Sequence, residues 1–253
     1  ENYLIKRKAL SSAKYPIHLV APSKWLASEA SRSSIFKDAD ISVIPYSIDI
    51  DQFRPMSQPA LRAKLGLPKN KTIGFFPSHN LSDPRKGMSF LEEALQMLEP
   101  EEVKDFILLT VGESDYQVKS SVEQRSMPFV SDEDLMCQLY NAADFTFLPS
   151  IEDNLPNVIL ESMASGTPII AFNTGGAADF IMNNETGWIV DKYDTNHLAL
   201  AIRGALKSPG KRKEMGREAR SLAEKEFSPQ TQGERYKKLY SEVLSITRRE
   251  GTS

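Results

Sequence analysis

Short apolar runs, rich in β-branched and aromatic residues, alternate along this chain with stretches of helical periodicity. This alternation predicts βα units and a parallel sheet, because the helices that cross between parallel strands cover both faces of the sheet. The runs are nearly continuous in hydrophobicity, which is typical of strands buried on both faces. Six candidate strands lie at residues 72–76, 106–111, 128–130, 145–148, 168–172 and 188–190. The predicted fold class is α/β, a parallel sheet with helices on both faces.

The segments between these strands carry the helical period. Apolar residues spaced for one helix face, and so for packing on a core, are Met88, Leu91, Leu95 and Leu98, and again Leu135, Met136, Leu139 and Tyr140. Residues 157–165 are predicted to form a helix, with Pro156 near its first position and Gly166 beyond its end. Long helical patterns follow at residues 196–207, 211–226 and 231–246. The last of these is amphipathic through Tyr236, Leu239, Tyr240, Val243 and Leu244, which predicts that this face is buried.

A smaller unit precedes this block: a strand at residues 17–20, a helix started by Ser23, and a strand at 42–45. Residues 47–68 contain three prolines and read as a linker around one short helix. A length of 253 residues allows one large domain or two unequal ones. A boundary near residue 46 is therefore predicted.

Composition excludes several classes of protein. With 40% hydrophobic and 26% charged residues the chain is globular. The formal net charge of −3 gives no basic footprint for nucleic acid. Cys137 is the single cysteine, so no internal disulfide forms, which suits a reducing cytosol. No G-x-G-x-x-G or P-loop motif occurs. The three histidines have no carboxylate or cysteine partner at metal-ligand spacing, so no metal site is predicted.

Two adjacent cations, Arg85 and Lys86, follow the first strand of the block where a helix is expected to begin. Positive charge is unfavourable there, because the helix dipole already makes that end positive. An anion held between the cations and the helix N–H groups resolves the conflict, and a diphosphate is the obvious candidate. The alternative is a pair of solvated cations at the surface.

Two carboxylates, Asp153 and Glu161, lie eight residues apart after the strand at 145–148. One is in a loop and the other about a turn into the next helix, so both can face one crevice, with the amides of residues 155–157 between them. Carboxylates accept hydrogen bonds from vicinal hydroxyls, and the amides favour phosphate. This arrangement suits a nucleotide sugar; the alternative is an acidic helix cap. A third loop, residues 173–177, contains two glycines that would let a ligand approach the backbone.

Several ordered motifs resemble the signature of retaining glycosyltransferase family 4. They are Leu81-Ser82-Asp83-Pro84-Arg85-Lys86-Gly87, the Asp153-x7-Glu161 element, and Glu161-Ser162-Met163-Ala164-Ser165-Gly166-Thr167-Pro168. Supporting matches precede them in the right order: Ala21-Pro22-Ser23-Lys24-Trp25-Leu26, Val43-Ile44-Pro45-Tyr46-Ser47-Ile48-Asp49 and Phe53-Arg54-Pro55. The similarity covers nearly the whole chain.

This resemblance implies a GT-B architecture, in which two Rossmann-like domains face a cleft. Residues 46–253 would be the carboxy-terminal, donor-binding domain, and residues 1–45 the end of an amino-terminal acceptor domain. It also implies retention at the anomeric carbon and no metal or other cofactor. The implied catalytic residues are Asp153, Arg85 and Lys86; the implied donor-binding residues are Ser78, Phe129, Val130, Asn154, Leu155, Pro156, Asn157 and Glu161.

Within this set the resemblance assigns roles. Arg85 and Lys86 would bind the diphosphate, Asp153 would approach the donor sugar, Glu161 would bind the ribose, and Phe129-Val130, before a helix started by Ser131, would lie against the nucleobase. The chain departs from the family at two points. The first acid is Asp rather than Glu, so Glu152 is an alternative to Asp153, and Ser78 occupies the loop where the family commonly has Arg.

The expected function is therefore transfer of a sugar, of the hexosyltransferase type, from a UDP- or GDP-sugar to a saccharide or lipid-linked acceptor in polysaccharide biosynthesis. The expected location is the cytoplasm, with peripheral association of the full-length enzyme at the cytoplasmic membrane face. As a donor-binding half, the chain is expected to bind donor but to turn over weakly or not at all. The alternatives are a nucleotide-sugar epimerase or a phosphorylase of the same fold, or a non-catalytic nucleotide-binding module.

Overall fold

The computed structural model describes residues 2–11 and 17–250. The strands in these residues are β1 (His18–Ala21), β2 (Asp40–Val43), β3 (Thr72–Asn80), β4 (Phe106–Glu113), β5 (Glu123–Met127), β6 (Phe145–Leu148), β7 (Ile169–Phe172) and β8 (Gly187–Val190). The helices are α1 (Asn2–Ser11), α2 (Lys24–Arg32), α3 (Gln58–Lys64), α4 (Met88–Gln96), α5 (Pro100–Val103), α6 (Glu133–Ala142), α7 (Asn157–Ala164), α8 (Ala177–Phe180), α9 (Thr195–Lys207), α10 (Pro209–Phe227) and α11 (Pro229–Glu250).

Six strands form one parallel sheet in the order β5-β4-β3-β6-β7-β8. Counted along the chain from β3, this is the order 3-2-1-4-5-6 of doubly wound nucleotide-binding sheets. The strand order reverses between β3 and β6. In such sheets the ligand crevice lies at this reversal, beyond the carboxyl ends of the two strands. The loops after β3 and β6 therefore flank the expected crevice.

The sheet separates two hydrophobic cores. On one face Phe75 and Ile107 pack with residues of α3, α6, α7 and α10. On the other face Phe76 and Leu108 pack with residues of α4 and α9. β4, β6 and β7 are buried almost throughout, as their continuous hydrophobicity predicts. The α/β, Rossmann-like class predicted from the sequence, with helices on both faces, is confirmed.

One predicted strand is wrong. Residues 128–130 lie in a loop, and the strand that pairs with β4 is β5, directly before them. β5 has the sequence EQRSM and stands at the edge of the sheet, half-buried and paired on one side only. An edge strand tolerates polar residues, so its sequence carries no apolar run. Phe129 and Val130 both line the cleft described below, and Val130 also packs against the core.

Several helix ends differ from their predicted positions. α7 ends at Ala164, and Pro156 is its N-cap rather than its first residue. α6 is capped by Asp132, whose carboxylate accepts from the Leu135 amide, so it does not start at Ser131. α10 and α11 are both longer than predicted. The apolar face predicted for α11 is only partly buried: Leu239 is covered, whereas Tyr240 and Leu244 are exposed.

The linker before β3 is fixed to the sheet by a buried arginine. Arg62, on α3, donates to the Ala142 carbonyl and to Asp144 Oδ2 at 2.7 Å. The same carboxylate oxygen accepts from the backbone amide of Ile73 at the start of β3. Because a buried charge needs a partner, this network holds α3 against the amino ends of β3 and β6.

The small parallel pair β1-β2 and α2 form the unit predicted before the linker, and Ser23 is the N-cap of α2 as predicted. Ser23 Oγ also donates to Asn154 Oδ1 at 2.7 Å, and the Trp25 amide donates to Asp179. α11 returns to this region, where Gln232 hydrogen-bonds Ser47 and the Pro45 carbonyl. Within residues 2–11 and 17–250 there is no helix both long and apolar enough to cross a membrane.

Candidate active site

A cleft of about 670 Å³ opens where the strand order reverses, beyond the carboxyl ends of β3, β4 and β6. It is bounded by the loop after β3, the segment between β5 and α6, and the loop that leads into α7. Its lining residues are Phe53, Pro77, Ser78, His79, Lys86, Val111, Phe129, Val130, Ser131, Glu133, Met136, Tyr140, Asp153, Pro156, Asn157, Val158 and Glu161. Apolar and charged side chains thus share one concave surface.

A glycine brings the first two loops together. Gly87 has a left-handed backbone (φ +76°), and a Cβ there would lie 1.8 Å from the Pro149 carbonyl oxygen. Just before it, the carbonyl of Arg85 accepts a hydrogen bond from the Ile151 amide. Since only a residue without a side chain fits this approach, Gly87 fixes Lys86 next to the loop after β6.

The two adjacent cations lie in different surroundings. Lys86 Nζ lies 2.9 Å from Asp153 Oδ2, and both side chains line the cleft. Arg85 is 74% exposed and pairs with Asp83, and its side chain is not part of the cleft lining. Hydrogen bonds from Arg85 lower the pKa of Asp83. In this structure Lys86 is therefore the cation directed at the cleft.

Glu161 faces the cleft from the second turn of α7. Its Oε2 accepts a hydrogen bond from the hydroxyl of Tyr140 at 2.6 Å. Burial raises the pKa of Glu161, the Tyr140 hydrogen bond opposes that rise, and Glu133 adds to it. Burial and the neighbouring Glu161 carboxylate raise the pKa of Tyr140 well above its usual value. Tyr140 therefore remains a hydrogen-bond donor. From the sequence it was predicted only as a core residue of α6.

The first turn of α7 also borders the cleft, through Pro156, Asn157 and Val158. No side chain caps this helix. The helix N-terminus carries partial positive charge and unpaired N–H groups, so it can bind an anion such as a phosphate.

The third loop does not line the cleft, although its glycines suggested that a ligand could approach its backbone. A Cβ on Gly175 would lie 1.6 Å from the Asp153 carbonyl oxygen, and one on Gly176 would lie 2.0 Å from that of Asn154. The Gly176 amide donates to the Asn154 carbonyl at 2.7 Å. The close approach that the glycines allow is therefore made by the loop after β6, and the glycine pair supports that loop from behind.

An aromatic pair stands at the other end of the cleft. The rings of His79 and Phe129 meet edge to face with centroids 4.7 Å apart, and Phe129 is 45% exposed. His79 lies 3.9 Å from Glu113. Val111 and Met136 add apolar surface beside the pair. A flat apolar group could stack at this position.

The cleft brings together most of the residues predicted for the site. Ser78, Lys86, Phe129, Val130, Asp153, Pro156, Asn157 and Glu161 line it, whereas Arg85, Asn154, Leu155 and the alternative acid Glu152 do not. Leu155 is buried in the core, and the side chain of Asn154 is turned toward Ser23. Nine of the lining residues lay outside the predicted site, among them Tyr140, Met136 and His79. Of these three, only His79 gave a usable signal, as a polar residue shortly after the predicted strand at 72–76, although β3 in the structure continues through it to Asn80.

One expectation about histidines needs correction. His197 lies with Asp191 and Asp194 so that their ligand atoms fall within 4.8 Å of one another, a group that sequence spacing did not suggest. Asp194 is also the N-cap of α9, accepting from the His197 amide. These residues do not line the cleft.

Comparison with known proteins identifies the family of this chain. The family model described as "Glycosyl transferases group 1" matches residues 57–222, about two thirds of the chain. The chain belongs to the family of group 1 glycosyl transferases. The match includes the loops after β3 and β6, all of α7 and both glycines of the third loop.

Named relatives are glycosyltransferases, and solved structures share the fold of the chain. A D-inositol 3-phosphate glycosyltransferase of Rhodococcus jostii (strain RHA1) is 28% identical over 198 residues, 73% of this chain and 43% of the relative. A glycosyltransferase from Rickettsia africae ESF-5 superposes with a TM-score of 0.81 and 25% identity, covering 95% of this chain and 67% of that one. Anabaena Alr3699/HepE in complex with UDP-glucose superposes with a TM-score of 0.74 and 22% identity, covering 96% of this chain and 68% of that one. The chain spans about half the length of the curated relatives it matches.

Proposed function

We propose that this group 1 glycosyl transferase binds a nucleoside diphosphate sugar in the cleft, as the donor-binding part of a retaining glycosyltransferase that resembles family 4. The observation that carries the proposal is the convergence of Lys86, the uncapped N-terminus of α7 and Glu161 on one cavity. An ammonium group and the amides at a helix N-terminus both bind phosphate, and a carboxylate binds hydroxyl groups.

The diphosphate would lie between Lys86 and the start of α7. Lys86 Nζ already pairs with Asp153, so a bound diphosphate would share or displace that contact. Arg85 is proposed as a second cation, although its guanidinium must first leave Asp83. As the bond to the sugar breaks, negative charge develops on the leaving diphosphate, and these fixed positive groups stabilise it without the need for a metal ion.

The sugar would lie beside Asp153 and the ribose beside Glu161. Ser78, Pro156 and Asn157 also line the cleft and are proposed as donor contacts. Asn154 and Leu155 would act through the shape of the loop that presents Asp153, because neither lines the cleft. The nucleobase would rest against Phe129 and Val130. The UDP-glucose complex named for Anabaena HepE supports a UDP-sugar as the first donor to test.

For the whole protein we propose a hexosyltransferase that adds a sugar to a saccharide or a lipid-linked acceptor, in the cytoplasm or at its membrane face. Residues 46–253 are proposed as the donor-binding unit. The D-inositol 3-phosphate glycosyltransferases among its relatives support transfer to a hydroxyl group as the reaction type.

Titration with UDP, GDP and ADP and with their hexose conjugates, followed by calorimetry, tests the proposal. Lys86→Ala is expected to weaken the preferred nucleoside diphosphate by about 10- to 100-fold, the cost of a lost charge-assisted contact, while sparing the nucleoside. Lys213→Ala is the matched control, since Lys213 is an exposed lysine on α10 outside the cleft, and it should change nothing. Unchanged diphosphate affinity in Lys86→Ala and Arg85→Ala together would refute the phosphate assignment.

A further inference from the structure

We infer that Tyr140 is a positioning residue for donor binding: its buried hydroxyl holds the carboxylate of Glu161 in one orientation, in which one free oxygen is presented to the vicinal hydroxyls of a ribose. The inference rests on the proposed function, because it concerns the sugar of the nucleotide. It adds a residue that the family-like motifs do not contain.

The first support is geometric. Tyr140 is fully buried, and its ring packs edge to face with Phe75 at 5.1 Å and with Phe53 at 6.5 Å. Its hydroxyl reaches Glu161 Oε2 at 2.6 Å, a short distance typical of a bond to a charged acceptor. The rings on either side leave the hydroxyl no freedom to turn away. The carboxylate is therefore held in one orientation before any ligand arrives.

The second support is the division of labour between the two carboxylate oxygens. Oε2 is occupied by Tyr140, and among the residues whose side chains the structure describes, neither a side chain nor an amide donates to Oε1. Both Glu161 and Tyr140 line the cleft. One oxygen thus belongs to the protein and the other is left for a hydroxyl donor from a ligand. Without Tyr140 the Glu161 carboxylate could rotate, and Oε1 would no longer be the oxygen presented to the ligand.

The third support is electrostatic. Burial and Glu133 on α6 both disfavour the charged form of Glu161 and raise its pKa, and the Tyr140 hydrogen bond is the contact that lowers it. Two other charged or titratable groups line the cleft. One is the Lys86–Asp153 ion pair, whose positive and negative charges have opposite effects on Glu161, and the other is His79 near the aromatic end. Loss of the Tyr140 hydroxyl should therefore raise the pKa of Glu161 and shift the acid limb of ribonucleotide binding to higher pH.

The decisive variant is Tyr140→Phe, which removes one oxygen and keeps the packed ring. Affinities for the preferred ribonucleoside diphosphate and its 2′,3′-dideoxy analogue are measured from pH 5 to 8. We expect about 5- to 10-fold weaker ribonucleotide binding near neutral pH, a larger loss at pH 6, and dideoxynucleotide binding within about 2-fold of wild type. Tyr116→Phe is the matched control, because the Tyr116 hydroxyl donates to Glu92 over the same distance of 2.6 Å and Tyr116 does not line the cleft. This variant should leave all affinities unchanged.

A double-mutant cycle separates positioning from general packing. If Tyr140 acts through the Glu161 carboxylate, Tyr140→Phe should have less than about a 2-fold effect in a Glu161→Gln background, because contacting residues are energetically coupled. An equal loss in both backgrounds would mean that Tyr140 only packs, and would overturn the inference. Replacing Tyr140 alone by 3-fluorotyrosine, whose hydroxyl is a stronger hydrogen-bond donor, should move the acid limb of ribonucleotide binding to lower pH. If that limb does not move, the result counts against the inference even if Tyr140→Phe fails to fold.

The same data distinguish this inference from the proposed function. Wild-type protein that binds no ribonucleoside diphosphate refutes the proposed function, and the role of Tyr140 with it. Wild-type protein that binds and prefers ribose to dideoxyribose, together with a Tyr140→Phe variant of unchanged affinity and pH profile, retains the proposed function and refutes the role of Tyr140.

Discussion

Glu161 is held in surroundings that oppose its charge. Burial and Glu133 favour its neutral form, and Tyr140 alone among its pKa-shifting neighbours favours the ionised one. Ionisable groups with shifted pKa values are common at functional sites, because the arrangement that serves a ligand is rarely the most stable one for the free protein. The destabilising effect of the buried Glu161 carboxylate should be visible as a pH dependence of the free energy of unfolding.

Glu161→Gln should therefore stabilise the folded protein more at pH 7.5 than at pH 4. Since the folded-state pKa is raised, the native protein binds more protons than the unfolded chain between the ordinary Glu value and the raised one. The contribution of Glu161 to stability falls as pH rises through that window and stays low above it. Urea unfolding at both pH values measures the difference. Glu214→Gln, on the exposed face of α10, should show none, and an equal effect of both variants would contradict the prediction.

Individual residues were predictable where sequence spacing fixes geometry. Asp153 and Glu161 were predicted to face one crevice from a loop and a helix, and both line the cleft. The pairing of Lys86 with Asp153 was not predicted, because it depends on contact between loops 67 residues apart. Tyr140 was predicted only as a core residue, since an apolar stripe on a helix does not reveal where a hydroxyl at its end will point.

At the scale of elements, the three loops beyond the sheet form one packed body. Gly87 admits Pro149, and Gly175 and Gly176 admit the carbonyls of Asp153 and Asn154. The loop after β6 is thus held from both sides. The shape of the cleft depends on these backbone contacts as much as on the side chains that line it.

Gly175→Ala should destabilise the protein by about 3 kcal/mol, because its Cβ would collide with the Asp153 carbonyl and its backbone is left-handed (φ +53°). Gly204→Ala is the matched control: Gly204 lies inside α9 with nothing within 4 Å of the added Cβ, so alanine should stabilise by about 0.5–1 kcal/mol. Chemical denaturation compares the two. Similar changes in both variants would show that the loops do not need the close approach.

Elements were predictable from the sequence where burial leaves a pattern. Five of the six sheet strands carry apolar runs because helices cover both of their faces. β5 escaped detection since it lies at the edge, where Glu123 and Arg125 are tolerated. The neighbouring Phe129 and Val130 supplied a false strand signal because both are apolar residues that line the cleft. Hydrophobicity alone does not tell a core from a binding surface.

At the scale of the whole molecule, the unit of β1, β2 and α2 is tied to the cleft by Ser23. This buried hydroxyl caps α2 by accepting from the Leu26 amide and donates to Asn154, next to Asp153. The amide of Trp25 adds a bond to Asp179. The position of the small unit and the shape of the loop that carries Asp153 are therefore linked.

Ser23→Ala should loosen this unit without unfolding the larger sheet. Loss of an N-cap costs about 1 kcal/mol, and the Asn154 contact is lost with it. We expect amide hydrogen exchange at residues 18–43 to rise about 5- to 10-fold or more, while β4 and β6 exchange as in wild type. Ser31→Ala is the control, since the Ser31 hydroxyl donates to the Ser28 carbonyl within α2. Uniformly faster exchange over the whole chain would argue against a local tie.

The contacts among the loops limit how such a protein can be re-engineered. A donor-specificity swap that replaces only the loop after β6 would present new carbonyls to Gly87, Gly175 and Gly176, whose clearances are fitted to the present ones. Residues 77–87, 149–156 and 173–177 should therefore be transplanted together as one cassette. A library that randomises one loop at a time samples mostly sequences that cannot close against the other two.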